Sequence, residues 1–139
     1  MSTILLVDDD DSLSLLLHLA IRRSGRLIQL SYVGDGQEAV AYLTPNAGTG
    51  DINHPLPSLI LLDLKMPRMN GFEVLEWKRT QPRLEKIPVI IWSSSSLAQD
   101  KERALQLGAT SYFVKPMETE GFVELLKALE TYSLVASVS

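Results

Sequence analysis

Five short apolar runs spread along the chain constrain its fold more than any other feature. Four of them are almost continuously apolar instead of alternating between apolar and polar residues. Continuous runs of this length suit strands that are buried on both faces, as in parallel sheets covered by helices. The predicted strands are Ile4–Val7, Leu27–Val33, Leu59–Leu62, Val89–Trp92 and Ser111–Val114.

The segments between these strands have the periodicity of amphipathic helices. Apolar residues recur at three- and four-residue spacing in Leu13–Ile21 and again in Phe122–Leu129. Asn70 followed three positions later by Glu73 is typical of a helix start, and Gly108 after an apolar stretch is typical of a helix end. Five strands alternating with five helices predict an α/β fold, a doubly wound five-stranded parallel sheet with right-handed crossovers.

Length and composition are those of one ordinary globular domain. The chain has 139 residues, of which 45% are hydrophobic, and this is enough apolar material for a core. We therefore expect a single domain over residues 1–139, with a core of about 3–131, a tail at 132–139 and no output domain.

Charge and residue usage exclude several classes of function. The net charge is −4, and the 13 lysines and arginines form no run longer than Arg22-Arg23, so we expect no nucleic-acid partner. The absence of cysteine excludes disulfides and thiolate metal sites. The N-terminus lacks the basic start of a signal peptide, and no apolar run is long enough to cross a membrane. These features predict a cytoplasmic protein that does not associate with membranes.

Polar side chains follow the predicted strands at the points where the strands end. In a doubly wound sheet, ligands bind outside the carboxyl ends of the strands, where the strand order reverses. Mg²⁺ takes oxygen ligands such as carboxylates and phosphates, and a carboxylate beside it can attack phosphorus. Phosphoryl transfer also needs groups that neutralise charge, such as an ammonium or a hydroxyl. The residues with this chemistry at the strand ends are Asp8, Asp9, Asp63, Ser93 and Lys115.

The four consecutive carboxylates Asp8–Asp11 are interpreted as two separate features. The first two directly follow a strand, whereas the last two precede a helical pattern, where carboxylates cap free amides and interact favourably with the helix dipole. An isolated acidic cluster is more often a solvated loop or a helix cap than a metal site. The Asp63 and Lys115 segments favour a site here, and Asp63 is the expected nucleophile because it stands alone at its strand end.

Four segments of the chain resemble the receiver domain of two-component response regulators. They are "ILLVDDDDS", "LILLDLKMPRMNGFEVL", "IPVIIWSS" and "GATSYFVKP", in the family's order and spacing from Ile4 to about Leu129. The most specific of these is the pattern Asp-x-x-Met-Pro-x-Met-x-Gly at 63–71. The resemblance implies a flavodoxin-like (CheY-like) fold of five βα units.

The resemblance also implies a phosphoacceptor and a metal site. Asp63 would accept a phosphoryl group from a sensor histidine kinase in a reaction that depends on Mg²⁺ or Mn²⁺. Asp8, Asp9, Asp63 and the backbone carbonyl of Lys65 would hold the ion, while the Lys65 side chain would point to solvent. The domain would catalyse only its own phosphorylation and dephosphorylation, so we do not expect an enzyme with turnover.

Three further residues match the family's switching groups. Lys115 matches the lysine that pairs with the phosphoryl group, Ser93 the switch hydroxyl, and Tyr112 the switch aromatic. Two alternatives stay open. The segment Ser93–Ser96 is also typical of a polar link between a strand and a helix, and the Tyr112 ring could equally be an aromatic group of the core. Switching would alter the surface formed by the fourth and fifth helices and the strand between them, which a downstream protein or a phosphotransfer partner would recognise.

Two segments bear on partners. The segment Thr44–Ser58 is rich in Pro, Gly and Asn and reads as an exposed loop. It is similar to the long loops of stand-alone receivers that partner bacteriophytochromes, so a kinase of this type is one expectation. The apolar tail 132–139 suits packing on a neighbour or on a dimer mate, which leaves a homodimer open.

Two other classes of function were weighed. Asp8 to Ser12 fits the Asp-x-Asp-x-Ser/Thr motif of haloacid-dehalogenase-type phosphatases, in which Asp8 would be the nucleophile. That motif requires a later acidic metal pair, which the sequence lacks, and it leaves the Asp63 segment unexplained. The other alternative is a phosphorylation-independent interaction module, and the complete set of acidic, hydroxyl and lysine residues at the strand ends argues against it.

Overall fold

The structure, a computed structural model, describes residues 2–25, 28–44 and 56–115 together with Leu125 and Lys127. Its strands are β1 (Ser2–Val7), β2 (Ile28–Val33), β3 (Leu59–Leu62), β4 (Val89–Ser93) and β5 (Ser111–Val114). Its helices are α1 (Asp11–Ser24), α2 (Gly36–Leu43), α3 (Gly71–Arg79) and α4 (Ala98–Gln106), and a 3₁₀ turn covers Pro82–Leu84.

All five strands are parallel and lie in one sheet in the order β2-β1-β3-β4-β5. The predicted α/β class, strand number and parallel sheet are confirmed. The predicted fifth helix lies outside the described residues except for Leu125 and Lys127, which are both helical. The predicted tail 132–139 and positions 45–55 of the predicted loop also lie outside them.

The continuous apolar runs form strands because both faces of the sheet are covered. Successive residues of β1 alternate between two cores, with Leu5 and Val7 in one and Ile4 and Leu6 in the other. The first core also takes residues from α2, α3 and α4, and the second takes Leu17 and Ile21 from α1 together with Leu125. None of the helices in the described part of the chain is long and apolar enough to cross a membrane.

Local sequence signals set the start of α3 and the end of α4. Asn70 caps α3 by accepting a hydrogen bond from the Glu73 amide at 3.0 Å, and the Glu73 carboxylate accepts from the Asn70 amide at 3.1 Å. This is the predicted capping box. Gly108 has a φ of +106° just after α4, as predicted for a helix stop.

Candidate functional site

The sheet's hydrogen-bond ladder positions the residues that follow its strands. The Asp63 amide donates to the Val7 carbonyl at 2.9 Å, which continues the pairing of β3 with β1 by one residue. The Lys115 amide likewise donates to the Ser93 carbonyl at 2.8 Å, one residue beyond β5. These backbone positions are therefore fixed by the sheet itself. The strand order reverses between β1 and β3, where ligand sites form in folds of this kind.

Three carboxylates meet at this reversal point, as the sequence predicts. Asp8 is completely buried and Asp63 is almost so, whereas Asp9 is exposed. One carboxylate oxygen from each of the three lies within 4.8 Å of the others. The Asp10 amide donates to Asp8 Oδ1 at 2.8 Å, and α1 begins at the next residue. The group therefore has two buried acids and one acid that faces solvent.

Lys115 is the cation that balances the two buried carboxylates. Its Nζ lies 3.0 Å from Asp8 Oδ2 and 3.1 Å from Asp63 Oδ2, and its side chain is mostly buried. The ammonium also lies 5.8 Å from the centre of the buried Trp92 ring. Lys115 thus joins the ends of β1, β3 and β5 in one cluster of charges.

Burial dominates the electrostatics of the cluster. It raises the pKa of Asp8 to about 6, even though hydrogen bonds from the Asp10 amide and Lys115 act to lower it. Burial also raises the pKa of Asp63, and attraction to Lys115 opposes the shift. For Lys115 burial acts to lower the pKa, but the interactions with the two carboxylates together outweigh it and raise that pKa. Ionisation of Asp8 and Asp63 therefore costs free energy in the folded chain.

The donor set suits a hard divalent cation. Carboxylate oxygens are the ligands that Mg²⁺ and Mn²⁺ prefer, and three of them converge here. Asp8 Oδ2 is buried without a hydrogen-bond donor, because its approach to Lys115 lacks hydrogen-bond geometry. This oxygen lies beside the Lys115 ammonium but accepts no hydrogen bond, so its lone pairs are available to a metal ion. Asp8, Asp9 and Asp63 could therefore hold such an ion.

The loop from β3 to α3 is held tightly against Asp63. The Lys65 amide donates to Asp63 Oδ1 at 3.3 Å, and the Lys65 side chain is exposed, as expected. The predicted role of the Lys65 carbonyl as a metal ligand stays a prediction. At the other end of the loop, a Cβ on Gly71 would lie 2.3 Å from the Asp63 carbonyl oxygen. Only glycine fits at this position, which explains the last residue of the Asp-x-x-Met-Pro-x-Met-x-Gly pattern.

The hydroxyl groups after β4 form a second network. Ser93 is fully buried at the end of the strand, and its Oγ accepts a hydrogen bond from the Ser95 amide at 3.2 Å. The Tyr112 hydroxyl donates to the Ser95 carbonyl at 2.7 Å, and its ring is half-buried against the first core. Tyr112 therefore combines the two environments considered for it, since it packs on the core and also contacts the loop after Ser93.

Two interactions near the site were not foreseen from the sequence. Ser95 is buried and donates to the Asp100 carboxylate of α4 at 2.5 Å. The available signal was an acidic residue in the third position of a helix, but the N-cap of α4 is Leu97, which offers no side-chain oxygen. The other interaction is an ion pair between Asp35 and Arg68. Nothing in the local sequence indicates this pair, because its members are 33 positions apart.

Comparison with known proteins agrees with this geometry. A family model described as the response regulator receiver domain matches residues 4–127. The chain belongs to this family. The receiver domain is 33% identical over 131 residues to the probable methanogenesis regulatory protein FilR2 of Methanothrix harundinacea, with 94% of this chain and 83% of that protein covered.

Two solved structures resemble the receiver domain over nearly its whole length. The first is the phosphorylated cyanobacterial phytochrome response regulator RcpA, with a TM-score of 0.83 and 32% identity over 96% of this chain and 94% of that one. The second is the Mn²⁺-bound form of response regulator Rcp1, with a TM-score of 0.81 and 30% identity over 94% and 93%. Rcp1 is a protein of Synechocystis sp.. The family assignment favours the receiver interpretation over the phosphatase alternative.

Proposed function

We propose that the chain is a response regulator receiver that accepts a phosphoryl group on Asp63. The observation that carries this proposal is the contact of the Lys115 ammonium with the buried carboxylates of Asp8 and Asp63. A carboxylate held beside a fixed cation can accept a phosphoryl group whose charge is already compensated.

In the proposed reaction, an Asp63 oxygen attacks the phosphorus of a phosphohistidine on a histidine kinase or a phosphotransfer protein. The new bond joins oxygen to phosphorus, while the phosphorus–nitrogen bond breaks and its electron pair stays on the imidazole. The phosphoryl group carries about two negative charges at neutral pH, and the Asp63 carboxylate loses its own, so the site gains about one negative charge. Lys115, already 3.1 Å from Asp63 Oδ2, neutralises part of that charge.

Asp8, Asp9, Asp63 and the Lys65 carbonyl would hold a Mg²⁺ or Mn²⁺ ion. When bound, the ion supplies positive charge to the phosphoryl oxygens and helps to align them. The support for this assignment is the convergence of three carboxylates and the buried Asp8 oxygen that lacks a hydrogen-bond donor.

Ser93 and Tyr112 are proposed as the switching pair. The Ser93 Oγ already accepts from the Ser95 amide, so its own proton is available for a phosphoryl oxygen. Movement of Ser93 would displace Ser95, and the Tyr112 hydroxyl bonds to the Ser95 carbonyl. The displacement would therefore reach the surface formed by α4, β5 and the fifth helix, where a downstream partner binds.

A histidine kinase is the proposed phosphodonor, and the likeness to the phytochrome response regulator RcpA supports a bacteriophytochrome as its type. We place the protein in the cytoplasm, as a signalling protein without enzymatic turnover. A homodimer would fit this function as well as a monomer would.

The test is incubation of the chain with magnesium and acetyl phosphate, followed by intact-mass measurement. One added phosphoryl group is expected on the wild type and none on Asp63→Asn. Asp10→Asn is the matched control, because it removes one carboxylate close to the site and should still accept the group. An unmodified wild type, or a phosphoryl group found on Asp8 in the Asp63→Asn variant, would contradict the proposal.

A further inference from the structure

The loop between β3 and α3 is anchored outside the cluster of carboxylates as well as within it. At its ends, the Lys65 amide donates to Asp63 and the Gly71 amide donates to the Leu64 carbonyl at 3.0 Å. Its middle packs against the first core through Met66 and Met69, and it meets the turn between β2 and α2 at Arg68 and Met69. That turn therefore supplies the ion pair that joins the middle of the loop to another element.

The middle anchor contains the one non-glycine residue in the described chain with a positive φ. Arg68 has a φ of 65°, a conformation that is unfavourable for a residue with a side chain. A strained backbone of this kind persists only where its surroundings fix it. Here the Arg68 guanidinium forms an ion pair with Asp35, and this contact helps to hold Arg68 in the unfavourable conformation.

Asp35 is prepared to receive this guanidinium. It is the N-cap of α2, with Oδ1 accepting from the Glu38 amide at 2.9 Å, while Oδ2 binds Arg68. The Glu38 amide and, secondarily, Arg68 lower the pKa of Asp35, so the carboxylate is charged at neutral pH. The Asp35 side chain is 6% exposed and that of Arg68 is 59% exposed, so the fixed partner is the acid.

A close backbone contact reinforces the same junction. A Cβ on Gly36 would lie 2.4 Å from the Met69 carbonyl oxygen, so the two turns touch at a position open only to glycine. The turn follows β2, whose last residue, Val33, accepts a hydrogen bond from the Asp8 amide at 3.2 Å. The β2–α2 turn thus contacts the β3–α3 loop and follows the strand end that is bonded to Asp8, without supplying a ligand to the site.

We propose that Asp35 is a positioning residue of the phosphoacceptor site, which acts through Arg68 to hold the β3–α3 loop and with it the Lys65 carbonyl. The inference rests on the proposed function, since it assigns to this loop one of the ligands of the cation. Loss of the ion pair would leave the three carboxylates in place but release the fourth ligand.

A purely structural role for the pair would affect stability, whereas a positioning role affects metal affinity. The variants are Asp35→Asn, which keeps the cap acceptor, Arg68→Gln, Arg68→Gly and the double variant Asp35→Asn/Arg68→Gln. Arg68→Gly is decisive, because glycine relieves the positive φ while removing the guanidinium. Glu38→Gln is the matched control, since it removes a charge from the same turn and keeps the acceptor for the Gly34 amide.

The measurement is titration with Mn²⁺, in which free ion is read from its electron paramagnetic resonance signal, together with urea unfolding. Each single variant at Asp35 or Arg68 is expected to bind Mn²⁺ about tenfold more weakly than the wild type. The double variant should lose no more than the single variants, because they break one connection. Glu38→Gln should bind like the wild type, and saturating Mg²⁺ should restore the phosphorylation rate of Asp35→Asn.

Separate results identify separate failures. A wild type that binds no Mn²⁺ and accepts no phosphoryl group overturns the proposed function and this inference with it. A wild type that binds Mn²⁺ while Asp35→Asn and Arg68→Gly bind it equally well overturns the inference alone. Losses of affinity that add in the double variant would show that Asp35 does not act through Arg68, and would also overturn it.

Discussion

Replacing Asp8 with asparagine should make the metal-free protein more stable at neutral pH, although it removes a residue of the site. Asp8 is completely buried, and burial raises its pKa from the usual 3.8 to about 6. The ionised carboxylate is therefore less favourable in the folded chain than in the unfolded chain. Asparagine has nearly the same shape, carries no charge and keeps the oxygen that accepts from the Asp10 amide.

The magnitude follows from the two pKa values. The difference between about 6 and 3.8 corresponds to about 3 kcal/mol of destabilisation at neutral pH. This figure already includes the attraction of Lys115, because that attraction contributes to the pKa of Asp8. The asparagine amide would point towards the Lys115 ammonium, and the repulsion between them reduces the stability gained by removing the buried charge. We therefore expect Asp8→Asn to raise the free energy of unfolding by about 1 to 3 kcal/mol.

The sign of the pH dependence provides a second test. Because the folded-state pKa of Asp8 is raised, its stabilising contribution is complete below pH 3.8 and is lost as the pH rises through about 6. Between pH 7.5 and pH 5, the wild type should gain about 1 kcal/mol from this group. The Asp8→Asn variant lacks that gain, so the stability difference between the two proteins should shrink as the pH falls.

The assay is urea unfolding in the presence of a chelator at both pH values, repeated with saturating magnesium chloride at pH 7.5. Magnesium should stabilise the wild type, since it binds the folded state, and should have little effect on Asp8→Asn. The reasoning would be refuted if the variant were less stable than the wild type at pH 7.5 without metal. It would equally fail if the stability difference stayed constant between the two pH values.

Three further substitutions test other parts of the site by urea unfolding. Gly71→Ala should destabilise the chain by about 2 to 3 kcal/mol, because its Cβ would overlap the Asp63 carbonyl; a stability equal to the wild type would contradict the close approach. Asn70→Ala should cost about 1 kcal/mol through loss of the α3 cap, and Asn70→Ser should recover most of it. Tyr112→Phe should cost about 1 kcal/mol through loss of the bond to the Ser95 carbonyl, while intact mass still shows phosphoryl transfer from acetyl phosphate.

The sheet could be predicted because its signals are local. The central strands β1, β3 and β4 contain short apolar runs that are buried on both faces, whereas β2 and β5 are only partly buried. The site could be located for the same reason, since parallel strands bring their carboxyl ends to one edge and Asp8, Asp63 and Lys115 follow three of them. The apolar runs that predict the strands therefore also locate the site, because they show where the strands end.

The connections between loops could not be predicted, because they depend on how turns approach one another in space. The pairing of Asp35 with Arg68 joins two turns that follow different strands, and each residue by itself is typical of any exposed turn. The bond from Ser95 to Asp100 was missed because the donating hydroxyl belongs to a residue two positions before the N-cap. The sequence pattern also did not predict which apolar residues of α1 are buried. Leu16 belongs to the same helical spacing as the buried Leu17 and is exposed.

The position of Lys115 after an edge strand links the charge of the site to the local unfolding of that strand. β5 pairs only with β4, so it has fewer backbone partners than the central strands and should open more readily in hydrogen exchange. Each opening would withdraw the ammonium from Asp8 and Asp63 and leave two buried acids uncompensated. The free energy lost when the two acids are left without Lys115 opposes local unfolding of β5. The ion cluster thus stabilises the edge strand β5, and a cation that balanced Asp8 and Asp63 in place of Lys115 would make local unfolding of β5 easier.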